Sequence, residues 1–230
     1  MRVLNIVHQN SAGPGVFADV TAERGDSVDV WEPPKEGPPA VGAHDAVFVF
    51  GGAMNVDQEA EHPWLSAEKA WLEELVDRRA PLLGLCLGSQ LLAEAAGASP
   101  HRSEEGEVGW HDVELCAEAS ADPLLGSLPE SFRAFEWHAY EFPLPPGGVP
   151  LARSGRCLQA FRLDGPAWGL QFHAEAVRAS IDRWLDEAEE GEVDRARVER
   201  ETAAGLADWN ELGRDICRRF LAEAEGPTRG

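Results

Sequence analysis

Pro81-Leu82-Leu83-Gly84-Leu85-Cys86-Leu87-Gly88-Ser89-Gln90 decides how this chain is read. A short apolar run ends at Gly84 and Leu85, and a helical pattern through Leu91, Leu92, Ala95 and Ala96 leads on to Gly97. Cys86 sits at the turn between them. Glycines two residues to either side make the pattern G-x-C-x-G. This is the thiol form of a nucleophile elbow, in which small neighbours let the backbone turn hard enough to present the nucleophile. The positive N-terminal end of the following helix favours a thiolate there. Taken alone, Cys86 reads equally as a buried structural cysteine before an ordinary helix, and the rest of the chain must separate the two.

Upstream, Val3 to His8, Val28 to Trp31 and Asp45 to Phe50 read as strands, the last apolar on both faces as in a parallel sheet. A helix through Phe17, Val20 and Ala22 ends at Gly25, and Glu32 to Val41, rich in Pro and Gly, is loop. Pro63 to Arg79 reads as a helix with an apolar stripe of Trp64, Leu65, Ala67, Ala70, Trp71, Leu75 and Val76. Strands alternating with helices imply a mostly parallel, doubly wound sheet, and ligands in such sheets sit at the carboxyl ends of the strands. Gly51-Gly52 and Cys86 both fall at such ends.

Downstream, Ala98 to Gln159 changes texture. Short segments such as Val113 to Leu115 and Phe132 to Phe142, separated by Pro- and Gly-rich turns, read as antiparallel strands and loops. Trp168 to His173 is a further strand. The tail from Ala176 is helical, with Val177, Ile181, Trp184, Leu185 and Ala188 on one face and a break at Gly191. The charged run from Asp186 to Glu201 reads as a solvated face, and a last helix carries Leu206, Trp209, Leu212, Ile216 and Phe220.

The 230 residues carry 41 acidic against 20 basic side chains, a net charge of −21 that repels nucleic acid and anionic membrane surfaces. No apolar run approaches the roughly 20 residues of a membrane span. Met1 to Val7 reads as a strand without a signal-peptide pattern, so a cytoplasmic location is expected. Cys86, Cys116, Cys157 and Cys217 form no C-x-x-C pair, and their spacing suits neither a zinc site nor a disulfide framework, so no metal is expected.

A cysteine nucleophile needs a base, a group that orients the base, and an oxyanion hole. His173, at a strand end with Glu175 two residues on, is the candidate base, and Glu175 can accept its other N–H. His8, His44, His62, His101, His111 and His138 lack that setting. The N–H of Leu87, just after the nucleophile, supplies one oxyanion donor, and the Gly51-Gly52 turn can supply the second.

Together these residues resemble the class I glutamine amidotransferases. Gly84 to Gln90 matches that family's G-x-C-x-G-x-Q elbow. Gly169-Leu170-Gln171-Phe172-His173-Ala174-Glu175 matches its G-x-Q-F-H-P-E segment except at Ala174, and Gly51-Gly52 stands where the family has its oxyanion glycines, with Ala53 in place of the usual proline. Trp137-His138-Ala139-Tyr140 looks like the segment whose backbone binds the glutamine amino and carboxylate groups. The likeness spans Met1 to about Glu175 and is greatest with stand-alone proteins similar to the amidotransferase domain of GMP synthase.

The fold expected is thus α/β: a doubly wound, mostly parallel, flavodoxin-like sheet with helices on both faces, an antiparallel strand and loop insertion, and a helical C-terminal tail. Residues 1–175 form the amidotransferase-like domain and 176–230 a tail packed on it. The resemblance implies hydrolysis of glutamine to glutamate and ammonia through a Cys86 γ-glutamyl thioester. Catalysis falls to Cys86, His173 and Glu175, the oxyanion hole to Gly52 and Leu87, and substrate binding to Gln90, Trp137 and Ala139. It calls for no cofactor. Lacking a nucleotide-binding loop, the chain is expected to act alone or to deliver ammonia to a synthetase partner. The alternatives are a γ-glutamyl peptidase with the same residues and a wider pocket, and a non-catalytic binding or regulatory protein that keeps the fold.

Overall fold

The computed structural model describes residues 1–189 and 193–226. Strands β1 (Arg2–Ile6), β2 (Ser27–Trp31), β3 (Ala46–Val49) and β4 (Leu82–Leu85) alternate with helices α1 (Val16–Arg24) and α2 (Trp64–Asp77), and α3 (Leu87–Ala95) follows β4. Next come β5 (His101–Leu115), β6 (Ser131–Glu141), β7 (Val149–Ser154), β8 (Leu158–Arg162) and β9 (Ala167–Leu170), then α4 (Arg178–Glu187) and α5 (Arg195–Glu225). All nine strands form one mixed sheet in the order β2-β1-β3-β4-β9-β8-β7-β5-β6. The ladders from β2 to β9 are parallel and those beyond are antiparallel.

Alternation along the parallel strands divides the core. Phe48, Leu83, Leu85 and Trp168 pack with Phe17 of α1, Trp184 of α4 and Phe220 of α5. Val47, Val49, Leu82 and Ala167 pack with Leu72 of α2 and Leu91 of α3. The expected strands therefore form, with three differences. The antiparallel segment is no separate insertion: it continues the sheet. Its first strand runs the fifteen residues of β5, where only Val113 to Leu115 stood out in the sequence. Arg102 to Glu107 offers no apolar alternation, and the register shifts there against β6, so that stretch is a strand through backbone pairing with its neighbour. Third, the charged run expected as a solvated face contains the start of α5, where Val198 is fully buried. Gly191, expected as a helix break, lies outside the described residues.

The register places the site. Gly84 pairs with Gly169 and Leu85 with Leu170, so the residues that follow β4 and β9 emerge side by side at one edge. Cys86 is the first residue past β4, and its N–H donates to the Leu170 carbonyl at 2.8 Å. The turn into α3 is tight. A methyl on Gly88 would stand 2.0 Å from the Val49 carbonyl oxygen, and one on Gly84 would stand 2.5 Å from the Gly88 carbonyl oxygen.

This contact sets a test of the elbow. Gly88→Ala must push α3 off β3. A loss of about 3 kcal/mol or more is expected, which at about 2–4 °C per kcal/mol lowers the melting temperature by about 6–12 °C or more. Gly155→Ala is the control, because a methyl there meets nothing within 4 Å. Equal melting shifts in the two variants would show that the close approach does not hold the elbow.

Candidate active site

Cys86 has φ 52° and ψ −112°, a conformation that side chains other than glycine rarely adopt. This turns the side chain out of the sheet edge while leaving it 94% covered, since only 6% is exposed. The thiol and the His173 imidazole line the same small cavity, and the thiol donates to the Trp137 carbonyl at 3.6 Å. On the other side of the ring, His173 Nδ1 lies 2.7 Å from Glu175 Oε1. The fold thus brings Cys86, distant in sequence, to the loop that carries both His173 and Glu175. Burial opposes a charge on His173, yet the Glu175 carboxylate and the Cys86 sulfur outweigh it and hold the imidazole well above its usual range.

The His173 loop is held from several directions. His173 N–H donates to the Phe135 carbonyl of β6 at 2.9 Å, and the Glu175 carbonyl accepts from Val16 N–H at 3.0 Å. The Trp209 indole N–H of α5 donates to the His173 carbonyl at 3.0 Å, and Asn210 donates to the Ala176 carbonyl at 2.8 Å. Trp184 of α4 lays its indole against the imidazole, with ring centroids 4.6 Å apart. The apolar stripes of the tail therefore face the sheet, and the tail's polar atoms hold the loop.

Two cavities meet at Cys86. One of about 440 Å³ is lined by Gly52, Leu87, Gln90, Trp137 and Ala139, and one of about 190 Å³ by Gly52, His173, Trp184 and Glu187. Among the described residues, the N–H groups of Gly52 and Leu87 donate to no protein group. Gly51 lies so near that a methyl on it would be 3.1 Å from His173 and 3.5 Å from the Cys86 Cβ. Gln90 lines the larger cavity, but its amide also donates to the Tyr140 carbonyl at 3.2 Å. It steadies β6 from beneath.

Two buried clusters beside the site escaped the sequence reading. His8 and Glu68 are both fully covered side chains in contact at 3.0 Å, with His8 Nδ1 3.1 Å from the Gly51 carbonyl. Glu107, Glu136 and His138 gather behind Trp137, with His138 Nε2 at 3.3 and 3.4 Å from the two carboxylates and Nδ1 donating to the Tyr140 carbonyl at 2.9 Å. The available signal was position. His8 falls just past β1 at the ligand-binding edge, and Glu68 interrupts an apolar helix face.

The atoms of Glu107, His138 and Cys157 that could ligate a metal lie within 4.8 Å of one another. Hydrogen bonds already occupy this group: Glu107 Oε2 accepts from Gln159 at 2.7 Å, Ser154 at 3.0 Å and the Cys157 thiol at 3.4 Å. Burial and the adjoining Glu107 push the Cys157 thiol far up. A proton on His138 would pair it with both carboxylates. Burial opposes that charge, but the Glu107 and Glu136 carboxylates beside the ring raise His138 from 6.5 to about 10. Burial also raises the Glu136 carboxyl.

This has a measurable consequence. A group with a raised folded value adds stability in full below its unfolded value of 6.5, and that stability is lost as pH rises through about 10. His138→Gln is therefore expected to show its largest deficit in melting temperature near about pH 6, narrowing steadily toward about pH 10. A deficit constant across that range would mean that His138 is neutral in the folded protein.

The chain is similar to several known proteins. The family model "Glutamine amidotransferase class-I" matches residues 17–184. A glutamine amidotransferase-like protein, YfeJ, of Salmonella typhimurium is 27% identical over 97% of both chains. A glutamine-hydrolysing GMP synthase subunit of Thermococcus kodakarensis is 37% identical over 56% of this chain and 66% of its own. The crystal structure of a glutamine amidotransferase from Thermotoga maritima superposes with a TM-score of 0.87 at 30% identity, covering 96% of this chain and 98% of that one. With the matched segment spanning the elbow, the His173 loop and most of α4, the chain belongs to the class I glutamine amidotransferases.

Proposed function

We propose that the protein hydrolyses the side-chain amide of glutamine. The observation that carries this reading is that Cys86, where two cavities meet, stands beside the His173–Glu175 pair and two N–H groups without a partner among the described residues. Glutamine places its γ-carboxamide at Cys86, with its α-amino and carboxylate groups along the Trp137-to-Ala139 edge of the larger cavity. With the proton already on His173, the Cys86 sulfur adds to the amide carbon. The N–H groups of Gly52 and Leu87 receive the oxygen as it becomes negative. His173 then gives its proton to the departing nitrogen, so that ammonia leaves and a γ-glutamyl thioester remains. Water, losing a proton to His173, adds to the thioester, and glutamate departs as the thiol is restored. Glu175 holds the imidazole with Nε2 toward the sulfur throughout.

Several finer readings belong with this one. The parallel order β2-β1-β3-β4-β9 supports a doubly wound, flavodoxin-like unit with the site past its strand ends. Residues 1–175 are taken as the catalytic unit and 176–230 as a tail closing over it. No helix among the described residues is long and apolar enough to cross a membrane. A synthetase that receives the ammonia is the expected kind of partner, by likeness to the GMP synthase subunits. One observation favours a second substrate class. The cavity on the His173 side, where the leaving nitrogen must depart, is about 190 Å³, against the roughly 30 Å³ share of a molecule the size of water. A γ-glutamyl compound with a larger leaving amine fits there.

Glutamate release from glutamine and from a series of γ-glutamyl amides and peptides tests both readings at once. Cys86→Ala and His173→Ala are each expected to lose at least about 10,000-fold in kcat, and Glu175→Gln about 100-fold less than that. An electrophilic glutamine analogue should label Cys86 and spare Cys116, Cys157 and Cys217. Turnover surviving in the Cys86 variant, or equal labelling of all four thiols, would sink the mechanism.

A further inference from the structure

The Gly51–Gly52 peptide is trans, as are all those described. A trans peptide points its carbonyl and its N–H in opposite directions. The Gly51 carbonyl is occupied: His8 Nδ1 lies 3.1 Å from it. Among the described residues the Gly52 N–H has no protein partner, and Gly52 lines both cavities at Cys86. Holding the oxygen on the His8 side therefore holds the N–H on the Cys86 side. The turn needs such a hold, because neither glycine has a side chain to restrict its rotation.

The hold on His8 is itself elaborate. A carbonyl only accepts, so Nδ1 must carry hydrogen. Nε2 faces the Glu68 carboxylate at 3.0 and 3.2 Å. Trp64, one turn before Glu68 on α2, stacks on the imidazole with centroids 5.6 Å apart and planes 23° apart. One helix thus grips the ring by an edge and a face, leaving Nδ1 for Gly51. Burial opposes a charge on His8, but Glu68 and the Gly51 carbonyl outweigh it. A fully buried ion pair is a poor source of stability compared with apolar packing, and this one serves the peptide beside it.

We infer that His8, oriented by Glu68 and Trp64, is the positioning residue of the oxyanion hole. Its Nδ1–H pins the Gly51 carbonyl and so aims the Gly52 N–H at the oxygen that turns negative when sulfur adds to the amide. The inference rests on the amide-hydrolysis reading above for the identity of that oxygen. It rests on the structure alone for the orientation of the peptide.

His8→Phe keeps a ring against Trp64 and removes the donor. Loss of one oxyanion donor costs about 100- to 1,000-fold in kcat, so a fall of about 100-fold in kcat on glutamine is expected, with KM changed by less than about 3-fold. Alkylation of Cys86 by iodoacetamide displaces iodide at carbon and builds no oxyanion, so its rate should hold. Glu68→Gln can still donate to Nε2 and leave Nδ1–H on Gly51, and should retain kcat within about 10-fold. Should His8→Phe not fold, Glu68→Ala frees the imidazole from the α2 side and is expected to show the same split between turnover and alkylation. Crystal structures of the wild type and the variant add a readout independent of turnover, in which the Gly51–Gly52 peptide is expected to rotate once its anchor is gone. An unmoved peptide, or alkylation falling in step with kcat, would overturn the assignment. A wild-type protein that hydrolyses no γ-glutamyl compound would sink the amide-hydrolysis reading, and the crystal structures would still decide what His8 does to the peptide.

Discussion

The start of α3 lies against β3 with no room for a side chain at Gly88, and the site depends on that contact. To bring a helix onto a parallel sheet so abruptly, the chain must turn within one residue, and Cys86 takes the strained conformation. Such strain costs of order 1–3 kcal/mol. Leu91 and Leu92, both fully buried on α3, offset it, since each contributes about 1.5–3 kcal/mol by burial. The same turn leaves the Leu87 N–H at the head of the helix without a partner. The outward turn of Cys86 and the Leu87 N–H without a partner among the described residues thus come from a single packing constraint.

The imidazole is placed by a different means. β9 ends at Leu170, so His173 lies beyond regular strand pairing and needs other support. That support comes from chain far away in sequence. β6 takes the His173 N–H, α1 supplies Val16 N–H to the Glu175 carbonyl, and α5 supplies Trp209 and Asn210. Gly213 lets α5 approach until a methyl there would stand 2.0 Å from the Ala174 carbonyl oxygen. A helix that looks like a cap in sequence is a support for the loop that carries the imidazole.

What could be read from the sequence follows from how local each cause is. The elbow was legible because its requirement for small residues falls within five consecutive positions. The His173–Glu175 contact was legible because both residues lie on one short loop. β5 was not, because Arg102 to Glu107 has no apolar period and is a strand only through its partner. His8, Glu68, Glu107 and His138 were not, because the contacts that define them span 60 residues for His8–Glu68 and cross between strands for Glu107–His138. Gln90 was half legible. Its place in the elbow motif was plain, whereas its bond to the Tyr140 carbonyl required the fold.

The buried acids show how the parts of the site are related. Glu68, Glu107, Glu136 and Glu175 are the buried glutamates among the described residues, each no more than 2% exposed. Each contacts a buried histidine: His8, His138 or His173. In a chain of net charge −21, most carboxylates remain in water, and these four are inside only where an imidazole meets them. Each histidine turns its other nitrogen to what the site uses. His8 faces the Gly51 carbonyl and His138 the Tyr140 carbonyl, and His173 lines the cavity at Cys86. One arrangement, a buried carboxylate that fixes which imidazole nitrogen faces outward, therefore recurs at the glycine turn, at the Trp137-to-Tyr140 edge and at the sulfur. An apolar core of equal volume would be as stable or more so, but it would neither orient a peptide nor hold a proton.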